Sequence, residues 1–379
     1  MKLVVFGLSI TSTWGNGHGT TYRALLQALH ARGHKIVFFE KDVEWYASNR
    51  DLPEPNFCDV HLYRDWKEVL PHARQQLNEA EVAIVGSYFP DGIAAIDEML
   101  DADTPVKAFY DIDTPITVSA LHERGAADYI AQRQIPLLDI YFSFTGGPML
   151  REIEQEFGAP CAVPLYCSFD PHQYRRLKPN PKFACDVSYM GTYACDRQPK
   201  LEQLLCRPAR QLGRRRFIVA GSQYPKMLRW PENVQRIDHL SAQWHPDFYS
   251  SSKFTLNVTR REMCVAGYSP SVRLFEAAAC GATIISDTWP GLDSFFVPEK
   301  EILLAADAEA VVDYLTELTS EEVRHIGERA RSRVLAEHTS THRAAQLECA
   351  VEQILAVPQL TSADNSVAAP QVPTETVRD

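Results

Sequence analysis

The 379 residues exceed what one hydrophobic core usually holds, so two domains of ordinary size are expected. With 45% hydrophobic and 23% charged residues, the chain has the composition of a folded protein. A net charge of −11 excludes broad nucleic-acid binding, which needs an excess of Lys and Arg, and no run approaches the 18 apolar residues of a membrane span. The nine cysteines, at 58, 161, 167, 185, 195, 206, 264, 280 and 349, lack both C-x-x-C pairing and zinc-ligand spacing. An odd, scattered set of this kind points to reduced thiols and a cytoplasmic location.

In chain order, "KLVVFGLSI" (2 to 10) reads as a buried strand. The next segment, "TTYRALLQALHARG" (20 to 33), reads as a helix with Tyr22, Leu25, Leu26 and Leu29 on one stripe. Strands follow at 35 to 40, 81 to 86, 106 to 111 and 138 to 144, separated by helical patterns at 65 to 79, 92 to 100 and 115 to 132. Strands that alternate with helices and lack hairpin turns imply a parallel sheet covered on both faces. After the Pro-containing link "RRLKPNPKF" (175 to 183) the pattern restarts. Strands are expected at 186 to 191, 215 to 221, 252 to 258 and 282 to 286, with helices at 197 to 206 and from Ser271, then at 307 to 318 and 320 to 356. The fold class is therefore α/β, with two doubly wound parallel-sheet domains, 1–174 and 184–356, facing a cleft. The stretch 357–379 has few large apolar residues and reads as a disordered tail.

Chemistry-bearing residues fall at strand C-termini, where a doubly wound sheet gathers its ligands. "GLSITSTWGNGHGTTYRALL" runs from the first strand into the first helix through Gly15, Gly17 and Gly19. Its glycines are spaced G-x-G-x-G, and the loop is too long for a dinucleotide fingerprint, although Glu40 roughly supplies the acidic residue such a site needs. His18, flanked by glycines, is a candidate general base. "FYDIDTP" (109 to 115) ends another strand of the same sheet and brings Asp111 and Asp113 to the same edge; either could orient the His18 imidazole. Each aspartate also has a plain structural role open to it, as a turn former or a solvated group. In the second half, "YMGTYACDRQPK" offers Gly191, Thr192 and Arg197, and "LNVTRREM" offers Asn257 and Arg260. "GYSPSVRLFEAAACG" (267 to 281) opens a helix with Ser269, Ser271 and Arg273 and carries Glu276 on it. Such a start can be an ordinary cap or a phosphate site.

Taken together, "TLNVTRREMCVAGYSPSVRLFEAAACGATIISDTWPGLDSFFVPEKEILLA", "DVSYMGTYACDRQPKLEQLL", "FYDIDTP" and "SFTGGPML" resemble the CgeB-type glycosyltransferases, which are related to spore-maturation proteins and lie within the two-Rossmann (GT-B) class. The resemblance runs from about residue 2 to 350. It implies that Glu276 binds the donor ribose and that Ser271 and Arg273 lie where the donor diphosphate is held. It also implies that the "GNGHG" loop lies on the acceptor side. Two features point to different stereochemical courses: the Glu276 region is similar to enzymes that retain anomeric configuration, and His18 with a downstream Asp to enzymes that invert it. Tyr268 stands where the E-x7-E pair of the class has its first carboxylate.

The expectation is transfer of a sugar from a nucleoside diphosphate sugar to a hydroxyl-bearing acceptor. Gly191, Thr192, Arg197, Asn257, Arg260, Ser269, Ser271, Arg273 and Glu276 are the expected donor-side residues. No cofactor or metal is required if Arg197, Arg273 and the helix dipole neutralise the leaving diphosphate. Two other readings stay open: a non-catalytic nucleotide-sugar-binding or coat-assembly protein, and a nucleotide-sugar epimerase.

Overall fold

The computed structural model describes residues 1–15 and 17–356; the expected tail lies outside the described residues. In the first half, the strands are β1 (Lys2–Phe6), β2 (Lys35–Lys41), β3 (Asp59–Tyr63), β4 (Val82–Gly86), β5 (Val106–Asp111), the short antiparallel pair β6 (Ala126–Ala127) and β7 (Ile130–Ala131), β8 (Ile140–Ser143) and β9 (Ala162–Pro164). Apart from that pair they form one parallel sheet in the order β3-β2-β1-β4-β5-β8-β9. The second half supplies β10 (Cys185–Met190), β11 (Phe217–Ala220), β12 (Val234–Ile237), β13 (Ser252–Asn257), β14 (Thr283–Ser286) and β15 (Leu303–Leu304). These are also all parallel, in the order β12-β11-β10-β13-β14-β15. Each sheet reverses its winding once, between β1 and β4 and between β10 and β13. Those reversals open the crevices where ligands enter such sheets.

Apart from the short pair β6–β7, the strands that the sequence does not predict, β3, β9, β12 and β15, are the edges of the two sheets. An edge strand has a neighbour on one side only, so its residues need not form an apolar run; "DVHLY" in β3 buries only its last residue fully. Two helices also differ from expectation. The pattern at 115 to 132 is a helix only over Thr114–Arg124, because Gly125 takes a left-handed conformation (φ 69°) and its N–H closes the helix on the Leu121 carbonyl at 2.8 Å. The pattern at 320 to 356 is two helices, Ser320–Glu337 and Ser340–Ala356. They break at Thr339, whose hydroxyl bonds His342 Nδ1 at 2.7 Å.

That break redirects the chain. The sequence assigns 340–356 to the second domain, but Ala344, Leu347, Ala350 and Val351 share a core with Leu25, Leu26 and Leu29 of the helix Gly17–Ala31. Glu348 holds Arg32 and His34 at the rim of this contact. In the opposite direction, Cys167, Phe169 and Tyr174 leave the first sheet and pack into the core around the helix Val272–Ala279. Each half therefore covers part of its sheet with chain borrowed from the other side of the link.

The two halves also meet at a seam. The Gly146 N–H donates to the Tyr268 carbonyl at 3.0 Å, and the Thr145 and Ser269 hydroxyls are 2.8 Å apart. Tyr268, itself at φ 46°, slots its ring against Gly147 and Gly291, and a Cβ at either glycine would collide with that ring. The C-terminal helix is the more readily tested link between the halves. Leu347→Ala, which empties a fully buried position, should lower unfolding free energy by about 2 to 5 kcal/mol in denaturant titration. A change under about 0.5 kcal/mol would mean that the helix is dispensable cover.

Candidate functional site

The β1–helix loop is built around a buried carboxylate. Glu40, at the end of β2, accepts the Ile10 and Thr11 N–H groups at 2.6 and 2.9 Å and the Thr11 and Ser9 hydroxyls at 2.6 and 3.1 Å. Its carboxylate is spent on the loop, so it is not placed to hold a ribose. Thr13 is tied to Asp51, which Arg23 grips with both Nη groups. Gly19 is required by packing: a Cβ there would stand 2.6 Å from the Ser12 carbonyl oxygen. Gly15 takes φ 70°, which suits a residue without a Cβ, and both Gly15 and Gly17 border the cleft.

The helix begins at Gly17, so His18 sits in its first turn and not on a free loop. It is 7% exposed, and its Nε2 lies 2.9 Å from Asp113 Oδ2. A carboxylate at that distance keeps the proton on Nε2 and leaves the lone pair on Nδ1. Nδ1 is buried and meets no partner among the described residues. The choice between the two aspartates is thereby made. Asp111, a candidate partner from the sequence, is instead wholly buried, accepting the Tyr141 hydroxyl at 2.6 Å and the Thr117 hydroxyl at 2.8 Å. Burial pushes its carboxyl up to about 6, against the pull of those hydroxyls. It secures the turn that presents Asp113, whose N–H it accepts at 3.2 Å.

In the second half, the helix start at Ser271 is not capped by its own side chain. Ser271 Oγ donates to Asn257 Oδ1 at 2.8 Å, and Arg273 Nη1 donates to the same oxygen at 3.0 Å. Asn257, a donor contact by its place in the sequence, is instead fully buried, where it ties Ser271 and Arg273 to Ser286 below them. Ser269 likewise spends its hydroxyl on the seam with Thr145. Arg273 also donates through Nε to the Met190 carbonyl and lies 5.1 Å from the Tyr189 ring centroid. Glu276 follows one turn later, 4% exposed. Burial pushes its carboxyl up to about 7, partly offset by the Tyr174 hydroxyl and the Arg273 charge. The Tyr174 hydroxyl stands between this carboxyl and His245 Nδ1, 3.1 Å away.

These groups border two cavities in the cleft. One, of about 330 Å³, brings Gly15 and Gly17 opposite Gly191, Thr192, Arg197, Arg273 and Glu276. The sequence reading missed its far wall, Ser222, His239, Leu240 and Tyr249. Of these, only Ser222 carries a sequence signal: "AGSQYP" (220 to 225) ends its strand as the Gly191 loop ends β10, although the serine itself is not singled out. The second, of about 250 Å³, is lined by His18, Asp113, Arg197, Arg260 and the Ser269–Val272 turn, with apolar walls from Ile112, Phe144, Val258 and Met263. Arg197 borders both, its Nη2 anchored on the Thr192 carbonyl at 2.6 Å.

Residues 197–348 match a family model described as "Glycosyl transferase-like". No curated protein matches the chain in sequence. Solved structures match along nearly its whole length. Sucrose-phosphate synthase from Thermosynechococcus elongatus superposes with a TM-score of 0.67 at 13% identity, covering 94% of this chain and 99% of that one. An alpha-glucosyltransferase in complex with UDP gives 0.69 at 14%, covering 93% and 100%. Anabaena HepE in complex with UDP and glucose gives 0.66 at 10%, covering 93% and 100%. The fold is the two-sheet GT-B arrangement of these structures.

Glu276 supplies a pH test of this site. Its folded-state value of about 7 lies above the ordinary 4.5, so the folded protein holds that proton more tightly than the unfolded chain. The resulting stability is complete below pH 4.5 and is lost as pH rises through 7. Relative to Glu276→Gln, the wild type should lose on the order of 3 kcal/mol of unfolding free energy between about pH 4.5 and about pH 8. Denaturant titrations across that window check this, and a difference that stays constant with pH would contradict it.

Proposed function

We propose that the protein transfers a hexosyl or related sugar from a nucleoside diphosphate sugar to an acceptor hydroxyl, as a CgeB-type member of the GT-B class. The observation that carries this reading is the adjacency of the two cavities. One joins a buried carboxyl, two arginines and the glycine loop; the other holds a histidine–carboxylate pair, and Arg197 borders both. In the first, Glu276 accepts the ribose hydroxyls and Arg197, Arg273 and the helix start at Ser271 meet the diphosphate. Their positive charge is aimed at the oxygens where negative charge develops as the diphosphate leaves, so no metal is needed for that task. Uridine diphosphate is the first nucleotide to try, since similar folds are solved with it.

In the second cavity, Asp113 fixes the His18 tautomer and His18 takes the proton of the attacking hydroxyl. A cytoplasmic location fits the nine cysteines, all of them free thiols.

The donor half is tested first. A thermal-shift screen of nucleoside diphosphates should find one that stabilises the protein by about 2.7 kcal/mol at about 100 times its dissociation constant. Glu276→Ala and Arg273→Ala should each weaken that ligand by roughly 1.5 to 3 kcal/mol in calorimetric titration. Wild-type affinity in folded Glu276→Ala protein would end the donor assignment.

The dyad is tested by turnover. His18→Ala and Asp113→Asn should each lower it by about 10² to 10⁴ while nucleotide affinity stays near that of the wild type. Unimpaired transfer by His18→Ala would make the histidine a packing residue. Release of nucleoside diphosphate that depends on an acceptor pool also separates transfer from mere binding and from epimerisation.

A further inference from the structure

The donor assignment accounts for Arg197 and Arg273 but leaves Arg260 without a role. Arg260 borders the His18–Asp113 cavity and is not among the residues around Glu276. Arg197 and Arg273 each spend part of the guanidinium on backbone or side-chain oxygens, whereas the carboxylate contacts of Arg260 are looser. They run through Nε at 3.7 Å to Asp196 and 3.9 Å to Glu262, beyond hydrogen-bond length. Nε is buried without a hydrogen-bond partner among the described residues, and the side chain is 41% exposed. A guanidinium with its fork of donors unspent is suited to a planar or tetrahedral anion, which it can grip with two bonds at once.

Beside His18 lies a second, independent observation. Tyr88, in the loop after β4, is held at φ 61°, a conformation that costs a bulky residue energy and persists only where its surroundings impose it. The imposition is visible. Phe89, fully buried, donates its N–H to the Gly86 carbonyl at 3.3 Å, and the Ser87 hydroxyl accepts the Ile112 N–H at 2.9 Å. The strained backbone leaves Tyr88 39% exposed, its ring edge-on to the His18 ring at 5.5 Å and 4.9 Å from Tyr129. The Tyr88 hydroxyl is pushed up to about 12 by burial and the charges of Asp113 and Asp111, and the Arg260 charge opposes them.

We propose that the acceptor is a small anion-bearing carbohydrate, phosphorylated or carboxylated, that seats its ring on the apolar lining of this cavity, gives its anionic group to Arg260 and presents a hydroxyl to His18, whose ring Tyr88 braces. The cavity of about 250 Å³ accommodates a single sugar ring, and its apolar residues suit the C–H face of that ring. Asp113, also in the lining, repels an anion placed beside it, so the charged group is directed to Arg260. This inference rests on the sugar-transfer reading, because only that reading makes the His18 cavity an acceptor site.

The test is calorimetric titration of glucose, glucuronate and glucose 6-phosphate into the full chain, with and without saturating uridine diphosphate. At least one of the two anions should bind about ten times or more tighter than glucose, as a charge-assisted bond implies, and whichever does so identifies the anionic group. Arg260→Gln should abolish that preference while leaving uridine diphosphate affinity unchanged. Tyr88→Ala, which removes the ring packed against His18, should weaken every sugar that binds, and Tyr88→Phe, which keeps that ring, should bind as the wild type does. The proposal is overturned if glucose binds as well as both anions, if neither anion binds, or if the preference survives Arg260→Gln. Loss of uridine diphosphate affinity in Arg260→Gln would also overturn it, by assigning the arginine to the donor. Failure of the wild type to bind any nucleoside diphosphate is a separate outcome and strikes the donor assignment.

Discussion

The turn at 268–270 is seated on the loop 145–147 by a backbone hydrogen bond, a hydroxyl pair and the ring of Tyr268, which is wedged between two glycines. The helix carrying Arg273 and Glu276 begins directly after this turn and so hangs from it. Everything on the other side hangs from the sheet that presents Thr145, since β8 pairs with β5 and β5 ends at Asp111. The separation between Glu276 and His18 is therefore set by the seam and not by a flexible link. The cost is borne locally, in the left-handed backbone of Tyr268.

Burial gives these groups their chemistry. In water Glu276 would be an ordinary carboxylate beside an arginine. Enclosed by Tyr174, Tyr249 and the alanines of its own helix, it ionises near neutrality, and its ionised form gains most from ligand hydroxyls that donate to it. The first-domain aspartates show the same physics with opposite results. Asp111 is enclosed and spent on hydroxyls, whereas Asp113, two residues on, remains partly exposed and carries the histidine. A single turn at a strand end separates a carboxylate spent on buried hydroxyls from one paired with a histidine.

Exchange of chain between the halves adds a constraint of its own. The helix Ser340–Ala356 lies on the helix that begins beside His18, and Arg343 within it donates to the Tyr166 carbonyl and to His338 at the crossing point. Movement of one half against the other must be accommodated at this crossing and at the seam.

The interior of both sheets was legible in the sequence, because a strand covered on both faces must be an unbroken apolar run, as in "KLVVF", "VAIVG" and "TIIS". Edge strands such as β3 and β12 were not legible, since they bury too little to leave such a run. The strand-end residues of the site were legible for a related reason: parallel winding brings strand C-termini to one edge whatever the details. Sequence spacing could not separate Asp111 from Asp113, or show that Asn257 sits beneath the site while Arg260 faces a different cavity from Arg273. Those distinctions depend on which way a side chain leaves the backbone and on what encloses it. Enclosure is produced by residues far away in the chain, such as Tyr141 against Asp111 and Tyr174 against Glu276. Local pattern therefore determined the two sheets and the edge where ligands gather, and tertiary packing alone decided which polar groups at that edge are spent on the fold and which are left for chemistry.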